Sequence, residues 1–292
     1  MLSIIIVNYR SWNRLAACLN SIALQSVDGL EVIIVDNHSN DGRANQFIKT
    51  YPDVRFILQE TNLGFAQACN KGASVAKNEW LLFLNPDTIL SPDTLKLLLD
   101  KATHQPTWKL IGIRQSNDHG KDTHPHGLFL KWWNVWAPLR SLERLIRGHK
   151  FSKKYLSTAP ITHPDWISGS FVLIRHNDFK ELGGWDERYW MYCEDMDLSK
   201  RAAMKGWDRV MYNELSCIHS HGGSSRINHH TAAITKSAVI QSTFTYINKH
   251  FHGASRFLAK ATLVKITFLS LLLSFPFSKT KRLMASRLLF GK

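Results

Sequence analysis

The first half of the chain alternates short apolar runs with polar turns. Leu2 to Asn8, Glu31 to Val35, Val54 to Leu58 and Trp80 to Leu84 are brief runs rich in β-branched and aromatic residues, each ending at Asn, Asp or Pro-containing sequence or at polar residues. Runs apolar on both faces predict strands buried on both sides of a sheet. Between the first two, Leu15, Leu19 and Ile22 recur at helical spacing and predict a helix over Trp12 to Ala23. This β-α-β order predicts an α/β fold: a Rossmann-like, mostly parallel central sheet with right-handed crossovers, flanked by helices. Further along, Ser91-Pro92-Asp93-Thr94 opens a helix with proline at a permitted early position. Asp165 to Arg175 reads as a turn into a strand. A helix follows from the Glu194 region to about Lys205, stopped by Gly206.

The run Trp80-Leu81-Leu82-Phe83-Leu84 stops at Asn85-Pro86-Asp87. Pro86 removes a backbone donor and ends the strand, which leaves Asp87 at its carboxyl end. In open α/β sheets that edge binds ligands, although an Asx-type turn explains the same residues. Asp36 stands at the tip of its own strand, either as a helix N-cap or as an acceptor for a nucleobase or ribose. Gly64 precedes a helix whose amino end faces the same edge, as an ordinary loop–helix junction or as a phosphate site. Gly169 and Ser170 permit close backbone approach to a ligand. In Glu194-Asp195-Met196-Asp197 the helix dipole favours acids in a first turn, but three exceed what a cap needs.

Four segments now stand in one order: Ile-Val-Asn-Tyr (6–9), Val-Asp-Asn-x-Ser-x-Asp-Gly (35–42), Asn-x-Gly-Phe-Ala-x-x-x-Asn-x-Gly (62–72) and Phe-Leu-Asn-Pro-Asp (83–87). Together they resemble the donor half of family-2 glycosyltransferases of the GT-A fold, and most nearly the rhamnosyltransferases of bacterial O-antigen assembly. The resemblance spans residues 1 to about 225. It implies donor contacts from Asn8, Tyr9, Asp36, Asn62, Gly64, Asn70, Asn85, Asp87, Gly169 and Ser170. It places the base on Asp195 in Glu-Asp-x-Asp-Leu, with Glu194 as the substitute. It also implies a divalent cation, Mg2+ or Mn2+, at Asp87, assisted by His219 or alternatively His221 in the segment resembling His-x-x-Gly-x-Ser. The family's usual Asp-x-Asp is Asn85-Pro86-Asp87 here, so one of two carboxylates is absent. The implied reaction is an inverting single displacement, with dTDP-L-rhamnose as donor and a lipid-diphosphate-linked sugar as acceptor. No single residue separates rhamnose from galactose or glucose.

Charge adds a second theme. The chain has 292 residues and a formal net charge of +14. From Leu215 to Lys292 there is no acid, but there are eleven Lys and Arg residues. Such asymmetry implies an anionic partner. The stretch Phe257 to Phe277 is strongly apolar, and a basic end, Lys279 to Lys292, follows it. Counting only its uninterrupted part, the apolar stretch falls short of the roughly 20 residues of a membrane span. It is expected to lie in a membrane interface, or else to pack on its own domain. The added apolar face favours an anionic membrane surface over nucleic acid. Residues 128–156 gather Trp132, Trp133 and Trp136 with seven cations and the lone acid Glu143, as a membrane-interface segment or a solvated insertion. The expected layout is a GT-A domain over 1–225, containing that insertion, and a basic helical extension over 226–292. Four scattered cysteines without a CxxC pair imply reduced thiols in a cytosolic protein. The apolar N-terminus, lacking a basic region, reads as a strand rather than a signal peptide. The expected place is therefore the cytoplasmic face of the inner membrane, held peripherally.

Overall fold

The structure, a computed structural model, describes residues 1–220 and 228–290. In chain order the elements are β1 (Leu2–Asn8), α1 (Trp12–Ala23), β2 (Glu31–Asp36), α2 (Ala44–Thr50), β3 (Arg55–Leu58), α3 (Phe65–Val75), β4 (Trp80–Leu84), β5 (Thr88–Leu90) and α4 (Thr94–Thr103). Then come β6 (Trp108–Ser116), β7 (His126–Gly127), α5 (Ala137–Ile146), a 3-10 turn (His149–Phe151), α6 (Lys153–Thr158), β8 (Ile161–Thr162) and β9 (Trp166–Ile167). The chain continues through β10 (Phe171–Arg175), α7 (His176–Glu181), α8 (Glu194–Met204) and β11 (Asp208–His219). It ends in three helices, α9 (His229–His250), α10 (Gly253–Ser274) and α11 (Lys279–Phe290).

The main sheet runs β3-β2-β1-β4-β10-β6-β11-β5, with β8 added on β11. Its first four strands are parallel, as the β-α-β pattern predicts. Beyond β4 the sheet is mixed. β10 enters antiparallel to both β4 and β6, and β5 lies antiparallel to β11. Two of these pairings build the site. Phe171 lies opposite Leu84, so the start of β10 meets the end of β4. His219 lies opposite Thr88, so the end of β11 arrives beside Asp87.

Burial on both faces explains the apolar runs. Ile4, Ile6, Leu82 and Leu84 pack against Trp12, Leu15 and Leu19 of α1 and Leu95 of α4. On the other face Ile5, Leu81 and Phe83 pack against Ala66, Cys69 and Ala73 of α3 and Leu198 of α8. A third core joins parts distant in sequence: Phe129, Leu130 and Val135 of the insertion, Met196 of α8, Tyr246 and Ile247 of α9, and Ala259 and Leu263 of α10. The basic insertion and the C-terminal helices are thus packed against the helix that carries Asp195. All four cysteines are free thiols.

Some local expectations shift. α4 begins at Thr94, with Asp93 in a left-handed turn (φ 58°), so Pro92 precedes the helix rather than opening it. α10 runs unbroken through Lys260 and Lys265 for 22 residues, because lysine is a good helix former. By length and composition it is long and apolar enough to cross a membrane, which counting only the uninterrupted residues had excluded. It neither packs wholly on the domain nor stands clear of it. Ala259 and Leu263 are buried, while Phe268, Leu272 and Leu273 are 62%, 59% and 73% exposed. In the insertion, Glu143 is only 2% exposed and binds Lys131 (2.6 Å) and the Asn134 amide (2.5 Å). Leu145, Ile146, Trp132 and Trp136 remain exposed beside it.

Gly72 sets how closely α3 lies on the sheet. A Cβ there would come within 2.5 Å of the Ile5 Cγ2 methyl and 3.3 Å of Val35. Alanine gains about 1 kcal/mol in helix propensity, whereas overpacking a rigid β-branched neighbour costs about 1–3 kcal/mol. Gly72→Ala is therefore expected to lower the melting temperature. A rise would show that α3 can move off β1 without loss.

Candidate active site

The carboxyl edges of β4 and β11 and the start of β10 form one hydrogen-bonded line. Asp87 Oδ1 lies 3.1 Å from His219 Nε2, and Asp87 Oδ2 lies 3.3 Å from the Arg14 guanidinium. Arg14 also donates to the Ser220 carbonyl at 2.5 Å, and Ser220 N donates to the Asp87 carbonyl at 3.0 Å. Asn85 Nδ2 sits 3.2 Å from His219 Nε2, and Asn85 N donates to Ser170 O at 3.0 Å. Next in line, Gly169 N donates to Asp195 Oδ2 at 3.2 Å. Carboxylates 108 positions apart in sequence are thus joined through four residues, His219, Asn85, Ser170 and Gly169, of a single sheet edge.

His219 is 2% exposed, and its Nδ1 lies 2.9 Å from Gln115 Oε1. Gln115 in turn bonds the Ser170 hydroxyl at 2.9 Å. An amide oxygen only accepts, so Nδ1 carries the proton. The Nε2 lone pair then faces Asn85 and the Asp87 carboxylate. Asn85 Nδ2 can donate to that lone pair, and a divalent cation set between Nε2 and the Asp87 oxygen 3.1 Å away would find an imidazole and a carboxylate ligand. A metal-binding histidine usually has its far nitrogen held by a hydrogen bond in this way. One carboxylate and one imidazole therefore fit a divalent cation that takes its other ligands from elsewhere. Among the described residues, no group of three His, Cys, Asp or Glu side chains could hold a metal by itself. His221 lies outside the described residues.

At the start of α8 the two neighbouring acids differ. Glu194 is 7% exposed, its Oε2 lacks a hydrogen-bond partner among the described residues, and burial pushes its carboxyl well above the usual range. Asp195 is half-buried and accepts from Gly169 N and, at 2.7 Å, from Met196 N. Burial pushes it up to about 6, against the lowering effect of those N–H groups. The reachable carboxylate is thus Asp195, while the charged form of Glu194 is disfavoured by its burial. Asp197 is wholly buried. Burial alone would raise its carboxyl, but His250, Arg201 and Lys249 outweigh that and hold it below the usual range.

The backbone before α8 is unusual. Tyr192 (φ 70°) and Cys193 (φ 65°) are consecutive left-handed residues with side chains, each disfavoured by on the order of 1 kcal/mol. Gly64 (φ 87°) is required here by the neighbouring backbone. A Cβ on it would lie 2.2 Å from the Trp190 carbonyl oxygen, which accepts from Phe65 N at 2.9 Å. Asn70 is likewise occupied: it bonds Trp185 N and O (2.9 and 2.8 Å) and Glu187 (2.9 Å), fastening the turn that leads to α8.

Around the β1 and β2 tips, Asn8 and Asp36 are buried and face each other. Asp36 accepts from Asn8 Nδ2 (2.8 Å), Ser39 Oγ (2.5 Å) and Ser39 N (3.0 Å). It forms an Asx-type turn and is not the cap of α2, whose N-cap is Arg43. Asn62 Oδ1 accepts from Asn37 Nδ2 and Gly64 N (3.0 and 3.1 Å). Tyr9 is 40% exposed on this rim. Sequence reasoning passed over Arg14, Gln115, Lys249 and His250. Each lies inside a helix or strand with no motif around it, so only the fold brings them in.

Residues 3–181 match the family model for glycosyl transferase family 2, over more than half the chain. The chain belongs to glycosyl transferase family 2. It is 28% identical over 270 residues to the N-acetylglucosaminyl-diphospho-decaprenol L-rhamnosyltransferase of Mycobacterium tuberculosis, covering 82% of this chain and 83% of that protein. It is 31% identical over 131 residues to the rhamnosyltransferase WbbL of Escherichia coli, covering 45% and 48%. Among solved structures, the mannosyltransferase of Pyrobaculum calidifontis in complex with GDP-Man and Mn2+ matches all of this chain and 87% of that one (TM-score 0.59, 16% identity). Staphylococcus aureus TarS (1–349) in complex with UDP matches 83% and 65% (TM-score 0.53, 17% identity). These likenesses carry the GT-A fold to this family-2 glycosyltransferase.

The Asp195 environment makes a direct prediction. Its carboxyl should titrate near pH 6 in carboxyl-carbon NMR, so that it is ionised above that pH and protonated below. A midpoint in the ordinary range near 4 would contradict the desolvation described here.

Proposed function

We propose that this protein is an inverting glycosyltransferase. In this reading it moves L-rhamnose from dTDP-L-rhamnose to a sugar carried on a lipid diphosphate, in the assembly of a cell-surface glycan. The observation that carries the reading is the hydrogen-bonded line from Asp87 and His219 through Asn85, Ser170 and Gly169 to Asp195. It sets a site for the leaving diphosphate next to a raised carboxylate that can take a proton. The mycobacterial relative, named for an N-acetylglucosaminyl-diphospho-decaprenol acceptor, supports the donor and acceptor classes.

In the reaction, the acceptor hydroxyl oxygen forms a bond to the anomeric carbon while the bond to the diphosphate oxygen breaks. The electron pair leaves with the nucleoside diphosphate, and attack from the opposite face inverts the centre. Asp195 takes the hydroxyl proton, and its raised carboxyl suits a base working near neutral pH. Asp87 and His219 would hold a divalent cation, which when bound supplies charge neutralisation for the diphosphate. Arg14, already on Asp87, adds a fixed positive charge at that end. Asn8 and Asp36 brace each other at the donor rim, and Tyr9 offers an exposed ring there for the nucleobase. Asn62, Gly64 and Asn70 shape the rim from beneath.

The exposed apolar faces of α5 and α10, with the acid-free C-terminal charge, support peripheral attachment to an anionic membrane surface on the cytoplasmic side, where a lipid-linked acceptor would be met.

Asp195→Asn should cut transfer by about 100-fold or more while nucleotide-sugar still raises the melting temperature. Transfer at the wild-type rate would remove Asp195 from its role. Across a panel of nucleotide-sugars with Mg2+ or Mn2+, dTDP-L-rhamnose should give the largest shift. A larger shift with a UDP-hexose would reassign the donor to galactose or glucose. The protein should sediment with anionic vesicles and not with neutral ones. Equal recovery with both would contradict the electrostatic part of the attachment.

A further inference from the structure

The first of the three C-terminal helices, α9, holds α8, which carries Asp195, at two points. Near its end, Lys249 Nζ and His250 Nε2 both reach Asp197 Oδ1 at 2.7 Å, while Arg201 Nε takes Asp197 Oδ2 at 2.8 Å. Asp197 is fully buried, two residues past Asp195. Lys249 also binds Asp186 Oδ2 at 2.6 Å, so a single ammonium joins the 186–189 turn to α8. About two turns earlier on α9, the Ser242 hydroxyl donates to the Met191 carbonyl at 2.7 Å. Ser242 is 4% exposed, and the residues it secures from below are the left-handed pair Tyr192 and Cys193. Tyr246, between these two clasps, is fully buried in the core shared with Met196 of α8.

Consecutive left-handed residues with side chains persist only where their surroundings hold them. Here one side is Gly64–Phe65, which grips the Trp190 carbonyl, and the other is α9. The backbone between them sets where α8 starts, and so where the Asp195 carboxylate sits against Gly169 N. The strand side adds a tie from Ile167 N to Ser199 Oγ (3.3 Å) farther along α8, and Arg201 reaches the Gly184 carbonyl (2.8 Å). A buried carboxylate bound by three cationic or hydrogen-bonding side chains has a narrow range of positions.

We propose that Ser242, Lys249 and His250 are positioning residues of α9 that set the register of α8, and through it the reach of Asp195 to the acceptor hydroxyl. The catalytic geometry then depends on a helix that lies outside the family-matched residues 3–181 and continues directly into the exposed α10. The inference rests on Asp195 being the base.

The test uses the full chain and compares Ser242→Ala, Lys249→Met, Lys249→Arg, His250→Leu and His250→Gln with Asp195→Asn as reference. Lys249→Met and His250→Leu should each lower kcat by about tenfold or more with the KM for the nucleotide-sugar held within about twofold. Lys249→Arg and His250→Gln, which restore a donor toward Asp197, should recover most of that loss. Ser242→Ala, the mildest change, should lower kcat without moving the donor KM, and it decides the matter if the Asp197 partners prove too disruptive to fold. Inactive Asp195→Asn beside unchanged kcat in the folded α9 variants would overturn the positioning role alone. Equal losses in the conservative and non-conservative variants, with donor KM rising in parallel, would also overturn it by showing a merely structural contribution. Wild-type transfer by Asp195→Asn would overturn the base assignment and the inference with it.

Discussion

The antiparallel pairing of β10 with β4 is the constraint from which the site follows. A parallel sheet alone would gather strand ends at one edge but would not bring in the start of a later strand. Because Phe171 opposes Leu84, the residues ahead of β10 reach the residues behind β4. Ser170 O then accepts from Asn85 N, and Gly169 N is left to hold Asp195. The parallel pairing of β11 with β6 and its antiparallel pairing with β5 do the same for His219. Each contact is an ordinary backbone consequence of strand register, and a one-residue slip would turn the side chains to the opposite face. The strand-borne part of the candidate site is thus placed by main-chain hydrogen bonds, and side-chain contacts to Asp87 and Asp197 complete it.

Desolvation then decides what the acids do. Glu194, Asp195 and Asp197 occupy one turn of α8, yet their surroundings separate them. The first is buried and pushed up, the second is half-buried and raised to about 6, and the third is buried but held down by cations. The dipole of α8 acts on all three alike, so it cannot be what distinguishes them. What differs is the partner: none for one Glu194 oxygen, two N–H groups for Asp195, and three basic side chains for Asp197. The same physics makes Asp197 a structural anchor and leaves Asp195 available.

Much of this was legible in the chain. The runs Leu2 to Asn8 and Trp80 to Leu84 could only be strands buried on both faces, and Asn85-Pro86-Asp87 had to turn at the sheet edge. The order of motifs pointed to family 2, to which the chain belongs. Glycine at 64 stood out, but its cause did not, because Trp190 lies far along the sequence and only the fold brings its carbonyl near. The hold of Asn70 on Trp185 and Glu187 was hidden in the same way, since these partners arrive from a distant turn. The mixed half of the sheet was hidden because β10 and β11 follow a long insertion whose local pattern says nothing about strand direction. Lys260 and Lys265 suggested a break in an apolar tail, yet lysine side chains on a helix extend past apolar neighbours without interrupting the backbone.

In the proposed reaction Asp87 and Asp195 face the two ends of one bond-breaking event. The most direct measurement is a crystal structure of the full chain with a nucleoside diphosphate and Mn2+. It should show the distal phosphate at Asp87 and His219, with open space between that phosphate and the Asp195 carboxylate sufficient for one sugar ring. A nucleotide bound elsewhere, or a diphosphate at Asp87 from which Asp195 is walled off by protein, would contradict the claim.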